Sequence, residues 1–240
     1  IIELMKEEIT NLKKDKEIEF LKRENETLKI DKEHYKSLIE KASSNAMAST
    51  QIAEKTVTTL TFLIQNHKKS PPLKKLTLDE TKNIITYEKK LEEDLISHFK
   101  SKTLDKYIAT FIISHIKKEN PEDHSIWTSD AKRLNFIVND LIGDKTQWKT
   151  DKNGIKFKEE VITPFLKHLS SILKNYSVNE QNKVLSMNNE QSNNIEILQD
   201  KQINCYISLM LSKDIISEIL KENITREVAP HLILDQTKQI

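Results

Sequence analysis

Apolar residues recur every three to four positions along the first quarter of the chain. From Ile18 a heptad register places Ile18, Asn25, Lys32, Ile39, Ala46, Ala53 and Leu60 at position a, and Leu21, Leu28, Tyr35, Ala42, Ser49, Thr56 and Leu63 at position d. Such a repeat keeps one seam of a helix facing a partner. Because residues 1–67 also contain no glycine or proline, the pattern predicts a coiled coil over residues 1–66.

We expect the seam to hold copies of the chain together through Ile18, Leu21, Asn25, Leu28, Tyr35, Ile39, Leu60 and Leu63. A polar Asn25 at position a favours a parallel, in-register dimer. A trimer is the alternative, because the residues at a and d are too mixed to decide the order. The other interpretation is one long helix folded back on the rest of the chain. A basic zipper is excluded, because residues 13–20 (KKDKEIEF) mix both signs of charge.

Residues 67–78 are predicted to form a hinge after this helix. Pro71 and Pro72 cannot continue a helix. Four lysines flank them, namely Lys68, Lys69, Lys74 and Lys75. Two interpretations remain open, a solvated linker and a hinge that contacts phosphates. Thr77 followed by Glu80 is a capping box that starts the next helix.

The remaining residues, 79–240, read as a helical domain with one small hairpin. Helices are predicted over 77–101, from Thr103 to about Asn120, over 129–142, over 158–174, from Ser177, and over 195–222, with a loop at 186–194 and an interruption at Pro230. Residues 124–127 are extended in character, and Ile126 and Trp127 could add a short strand. Residues 147–157 alternate about Asn153-Gly154, which predicts a hairpin.

This order of elements resembles a winged helix, with residues 129–142 as the presented helix and residues 147–157 as the wing. It departs from that family in having one helix, not two, between the first strand and the hairpin. The predicted fold class is therefore mainly α, with a long N-terminal parallel coiled coil followed by a helical domain that carries a winged-helix-like β-hairpin.

Composition limits the chemistry. Charged residues make up 31% of the chain but nearly cancel, to a formal net charge of +1, so any basic surface must be local. Lysine supplies most of it, since Arg23, Arg133 and Arg226 are the only arginines. Two glycines cannot build a phosphate loop, and one cysteine excludes an internal disulfide or a multi-cysteine zinc site.

Phosphate contacts are predicted for the lysines of the hinge, for those of the hairpin and for the helix before it. The candidates are Lys68, Lys69, Lys74, Lys75, Lys132, Arg133, Lys145, Lys149, Lys152, Lys156 and Lys158. Lysines on an exposed hairpin contact phosphates without reading sequence. The alternatives are a solvated lysine face and, for Arg133, a surface ion pair with Asp130 or Asp140.

No pattern of an enzyme is found. The seven histidines contain neither HExxH nor a pair four residues apart. We therefore expect no catalytic residues, no metal and no cofactor. The sequence also contains no secretory signal and no apolar run near the ~20 residues that span a bilayer, so no membrane partner is expected.

Three stretches carry a resemblance over residues 70–175: ENPEDHSIWTSDAKRLNFIV (119–138), WKTDKNGIKF (148–157) and EEVITPFLKHL (159–169). They are similar to an uncharacterised helical domain in coiled-coil proteins of large DNA viruses of protists, some of which have a zinc finger before the coil. The resemblance implies a viral or virus-derived protein, in the host cytoplasm, the nucleus or the virion. It transfers no catalytic residue. The chain begins at Ile1 inside a helical pattern, which is typical of a piece of something longer.

The expected function is that of a non-enzymatic homo-oligomeric binding protein, associated with DNA or RNA through the lysines of the hinge and hairpin and through Arg133. The alternative is a structural or scaffolding protein of a virion or other assembly, whose domains bind other proteins.

Overall fold

The computed structural model describes residues 2–85, 90–189 and 195–234. Its helices are α1 (Ile2–Asn66), α2 (Leu78–Ile85), α3 (Leu91–Lys100), α4 (Leu104–Ile116), α5 (Ile155–Phe157), α6 (Thr163–Asn189), α7 (Ile195–Asp214) and α8 (Glu218–Val228). Its strands are β1 (Ile126–Asp130), β2 (Asn135–Ile142) and β3 (Lys145–Asp151). A π-helical turn, Lys158–Ile162, joins α5 to α6. The chain divides into two compact units, Ile1–Glu54 and Lys55–Ile240.

The N-terminal unit consists of helix only, which confirms the predicted long helix. Its apolar seam residues Ile18, Leu21, Leu28, Tyr35 and Ile39 are all exposed. Helices in proteins gain most of their stability from the packing of an apolar face against other elements. These positions are therefore suited to contact with another helix, and the parallel coiled coil stays a prediction.

A three-stranded antiparallel sheet in the order β1-β2-β3 forms one layer of the C-terminal unit. The extended character of residues 124–127 is confirmed, because Ile126 pairs with Val138 at the start of β1. The helix predicted over 129–142 is wrong, since Asn135–Ile142 is β2. Residues 136–138 form a continuous apolar run that is buried on both faces, and such a short run does not distinguish strand from helix by spacing.

The hairpin predicted about Asn153-Gly154 is also wrong, and with it the winged-helix interpretation. The tight turn lies at residues 143–144 instead, where Ile142 pairs with Lys145 and Gly143 has φ +60°. Asp151 caps the following helix, because its carboxylate accepts the N–H groups of Lys156 and Phe157, both at 3.0 Å. A buried carboxylate that takes two orphan donors is a strong helix start.

The sheet lies between two apolar clusters. The larger one joins Ile126, Phe136 and Val138 to side chains of α4, α6 and α8. The smaller one contains Leu63, Trp127, Ile137 and Trp148, with Leu60 packed against it. Leu60 and Leu63 were predicted to face a second copy of the chain. That assignment is corrected, because Leu63 is completely buried within its own chain.

The hinge segment, residues 67–78, is held against the sheet and the helices. Leu73 N–H donates to Asn139 O and Leu76 N–H to Glu160 O, both at 2.7 Å. The side-chain amide of Asn139 donates to Ser70 O at 2.5 Å. A solvated linker is therefore the wrong description of this backbone, although its four lysines are exposed.

The predicted capping box is confirmed. Thr77 N–H donates to Glu80 Oε2 at 2.8 Å, and Glu80 N–H donates to Thr77 Oγ1 at 3.2 Å. The hydroxyl and the N–H of Thr77, which both donate to Glu80, hold the pKa of that carboxyl below its ordinary value. The box therefore fixes where α2 begins.

Several helix bounds differ from those predicted. α4 ends at Ile116, before the predicted Asn120, and α6 continues through Ser177 to Asn189. Ser177 does not cap a new helix, because its hydroxyl donates to Cys205 O of α7 at 3.1 Å. The helix predicted over 195–222 is two helices, and Ser217 caps the second. Residues 86–89 and 190–194 of the predictions lie outside the described residues.

Candidate nucleic-acid interface

A concentration of positive charge lines one open cleft of about 670 Å³. Five cationic residues border it, namely Lys132, Arg133, Lys152, Lys158 and Arg226. Glu222 is the acidic residue among those that line it. We call this feature the basic cleft. It brings together four of the predicted phosphate-contacting residues and adds Arg226, which was not predicted.

The first wall is the turn between β1 and β2. Asp130 Oδ1 accepts the N–H groups of Lys132 at 3.0 Å and Arg133 at 3.2 Å. Leu134 has φ +53° and a buried side chain, which anchors the turn to the larger cluster. The side chains of Lys132 and Arg133 are exposed as a result.

The side chain of Arg133 is available to a ligand. Asp130 uses its carboxylate on backbone donors, and Asp140 forms an ion pair with Lys156. Within the part of the chain that the structure describes, the guanidinium of Arg133 has no carboxylate partner. The proposed alternative, a surface ion pair with Asp130 or Asp140, is therefore not what the geometry gives.

The second wall is the turn at residues 152–154, which precedes α5. Asn153 and Gly154 have φ +57° and +59°. A Cβ atom at Gly154 would lie 2.9 Å from Phe136 Cε2 and 3.2 Å from Thr225 Cγ2. Only glycine lets this turn approach both β2 and α8, so Gly154 sets the position of Lys152 and of Lys158 one turn further along.

The third wall is α8. Arg226 Nη2 donates to Glu222 Oε1 at 2.5 Å, in an i,i+4 pair whose side chains are about half exposed. Exposed pairs of this kind are weak, so the guanidinium can exchange its partner. The rarity of arginine sets Arg226 apart in the sequence, but it does not place the residue at the cleft. Its place beside the 152–154 turn follows from the packing of Thr225 against Gly154, which sequence spacing does not encode.

Carboxylates also lie near the cleft and limit its charge. Glu218 at the start of α8 has a lowered pKa because Lys221 donates a hydrogen bond to it, with a smaller contribution from the charge of Lys158. Lys158 therefore lies within the electrostatic reach of a carboxylate. Nearby carboxylates balance the charges of Lys132, Arg133 and Lys152 less than they balance the charge of Lys158.

Other predicted residues lie elsewhere. Lys156 is part-buried in its ion pair with Asp140, which occupies its ammonium group. Lys145 and Lys149 are exposed on β3, which is paired along one side, with β2. Lysines on an edge strand also protect it against unwanted pairing.

The hinge lysines do not join the basic cleft. Lys68 and Lys69 follow His67, whose carbonyl accepts Trp148 Nε1–H at 3.0 Å. Lys74 is exposed, and Lys75 lines a separate cleft of about 350 Å³ with Lys167 and His168. Burial and the charge of Lys82 lower the pKa of His168.

The described residues show neither a metal-binding cluster nor a membrane-spanning helix. They hold no group of three or more histidine, cysteine, aspartate or glutamate side chains placed to bind a metal ion. Cys205 is half-buried, and its Sγ donates to Ser177 O at 3.2 Å. No helix in residues 2–85, 90–189 or 195–234 has the length and apolar content to cross a membrane.

Comparisons of the chain with protein-family models, with curated proteins and with solved structures return no match.

Proposed function

We propose that the protein is a non-enzymatic homo-oligomer that binds nucleic acid by phosphate contacts in the basic cleft. The observation that carries this proposal is the convergence of five cationic side chains from three separate segments on one concave surface. Two of the three arginines of the chain, Arg133 and Arg226, are among them. The planar guanidinium matches two phosphate oxygens at once, which lysine does not.

Oligomer formation would raise the strength of this binding. The exposed seam of α1, including Leu21 and Leu28, is the proposed contact between copies. Once one cleft of a dimer holds a nucleic acid, the second contact becomes intramolecular, and avidity exceeds the affinity of a single site. The viral origin implied by the sequence resemblance stays a prediction.

The second candidate function is that of a structural or assembly protein that binds other proteins. The observation in its favour is a set of exposed apolar side chains on α6 and α7, namely Val178, Leu185, Ile203 and Tyr206. Contiguous exposed apolar residues often mark protein contacts. Association of that kind depends weakly on salt, whereas binding by phosphate contacts weakens steeply.

The test is a fluorescence-anisotropy titration of the whole chain with a labelled duplex and a labelled single strand, from 50 to 200 mM salt. With about four phosphate contacts, the slope of log K against log salt should be about −3 to −4. Arg133→Glu with Lys152→Glu should abolish binding.

The matched control is Lys145→Glu with Lys149→Glu, which reverses two exposed charges outside the cleft. It should keep most of the binding. Equal loss in both variants would show that general charge, not the cleft, carries the binding. No binding of either nucleic acid at 50 mM salt would overturn the proposal in favour of the assembly protein.

A further inference from the structure

We infer that the basic cleft receives the phosphate monoester at the end of a nucleic-acid strand, in preference to the diesters within it. This inference rests on the proposed function and names the chemical group that the cleft selects. It follows from the shape of the cleft, from its charge and from the residues that do not line it.

The shape favours a single compact group. Backbone-tracking sites spread their cations along a groove, so that successive phosphates are each met once. Here the side chains of the β1–β2 turn, the 152–154 turn and α8 border one cavity. Its volume of about 670 Å³ lies within the range of small-molecule sites, about 300 to 1,000 Å³. One terminal phosphate with its sugar suits such a compact site, whereas successive diesters would be met better by cations spread along a groove.

The charge favours a group with more than one negative charge. The cavity is lined by five cations and one carboxylate. A diester carries one negative charge, whereas a phosphate monoester carries about −1.5 to −2 at pH 7 and presents three acceptor oxygens. Arg133, whose guanidinium has no carboxylate partner among the described residues, would bind two of these oxygens.

The residues that line the cleft do not favour recognition of the bases. Sites for the body of a single strand use aromatic side chains on which bases stack. Among the described residues that line the cleft, none is aromatic, and the non-ionic ones are Leu134, Asn135, Asn153 and Ile155. Recognition would therefore depend on the phosphate and not on the sequence of the strand.

Arg226 would bind the phosphate by giving up its ion pair with Glu222. Its guanidinium is held by Glu222 in the free protein, at 2.5 Å. A monoester that enters the cleft would compete with this carboxylate for the same donors. Glu222→Gln should therefore raise affinity for the phosphorylated end by a few fold, because it removes the competing charge.

The experiment compares three versions of one short single strand, labelled internally: one with a 5′-phosphate, one with a 3′-phosphate, and one with two hydroxyl ends. We expect about tenfold tighter binding of at least one phosphorylated strand, as one added charge-assisted contact would give. Arg133→Ala should weaken the binding of all three strands and should also bring the affinities of the phosphorylated and hydroxyl-ended strands to the same value, so the ratio of affinities is the readout. A nucleoside 5′-monophosphate serves as the competitor, with the nucleoside as its control.

The outcomes separate the two proposals. Equal, salt-sensitive binding of all three strands would overturn the end-recognition inference and leave the proposed function intact. No binding of any strand would overturn both. If Arg133→Ala kept the preference, the phosphorylated end would bind outside the basic cleft, and its assignment to the cleft would be overturned. If the free monophosphate bound as tightly as the phosphorylated strand, the rest of the strand would contribute nothing to binding. That outcome would overturn the proposed function.

Discussion

The two ends of the long helix α1 carry the same heptad spacing but differ in what surrounds it. Leu28 is 60% exposed in the N-terminal unit, whereas Leu63 is 0% exposed in the C-terminal unit. Leu63 packs against Trp127 and Trp148 of its own chain. A heptad repeat therefore identifies an apolar stripe but not the surface that covers it. The first end is suited to association between molecules, and the second stabilises the domain.

The largest effect that tests this comparison is the loss of Leu63. Leu63→Ala should lower the free energy of unfolding of the C-terminal unit by about 2–5 kcal/mol, because it leaves a cavity in a fully packed cluster. Urea denaturation followed by tryptophan fluorescence measures it, since both tryptophans lie in that cluster.

The control is Leu28→Ala, which makes the same substitution in the exposed part of the helix. It should leave the midpoint of this transition unchanged. A similar drop in both variants would mean that the two ends of α1 stabilise one cooperative unit and do not differ in role.

A charge in the exposed seam tests the other half of the comparison. Leu21→Lys with Leu28→Lys should raise the dissociation constant of the oligomer about a hundredfold or more, because like charges would face each other across the seam. Sedimentation equilibrium measures this constant. The control is Lys22→Ala with Lys29→Ala, which changes two exposed side chains outside positions a and d of the heptad. A wild-type chain that stays monomeric at all concentrations would refute the coiled coil.

The two glycines test how closely the chain packs around the sheet in the C-terminal unit. Gly154→Ala should destabilise the C-terminal unit by about 1–3 kcal/mol, because the added Cβ would meet the Phe136 ring at 2.9 Å. Gly143→Ala has a similar φ of +60° but nothing within 4 Å of its Cβ, so it should cost only about 1 kcal/mol of backbone strain. Thermal unfolding of the pair measures the difference. Equal melting temperatures would show that the close approach at Gly154 does not matter.

The smallest effect is expected from pH. The pKa of His124 lies below its ordinary value, because burial disfavours the charged ring and the charges of Lys118 and His67 add to this. The unfolded chain therefore binds a proton more readily than the folded one. This contribution to stability is complete above about pH 6.5 and is lost as the pH falls through the lower folded pKa.

Urea denaturation of the wild-type chain and of His124→Gln, at pH 7.5 and 5.5, measures this contribution. The wild type should lose more stability than the variant between the two pH values. Burial also lowers the pKa values of His115 and His168, so the variant should retain some dependence on pH. Identical losses would show that His124 does not contribute.

Sequence patterns predicted the elements whose signals are local. The Thr77 and Glu80 capping box and the break after α1 depend on side chains a few residues apart, and both occur as expected. β2 was missed because its buried run, residues 136–138, has no alternation. The turn at Asn153-Gly154 was misjudged because Asp151 offers the backbone a helix cap in place of a hairpin.

The candidate site was only partly accessible from the sequence. Lys132, Arg133, Lys152 and Lys158 could be proposed because they crowd together along the chain. Lys156 was included for the same reason, but the fold turns it towards Asp140. Arg226 could not be added, because its place in the cleft depends on the packing of α8 against the 152–154 turn.

The hydrogen bonds of the hinge segment limit where the chain can be truncated without loss of packing in the C-terminal unit. Pro71 and Pro72 suggest a natural place to truncate the chain, yet a protein that began there would lack Leu63 and the carbonyl of His67 that holds Trp148. Its sheet would expose two indole rings to water. A fragment that keeps the C-terminal unit whole begins at Lys55 or earlier, inside the helix, and cleavage at the prolines should leave an exposed apolar patch that favours association.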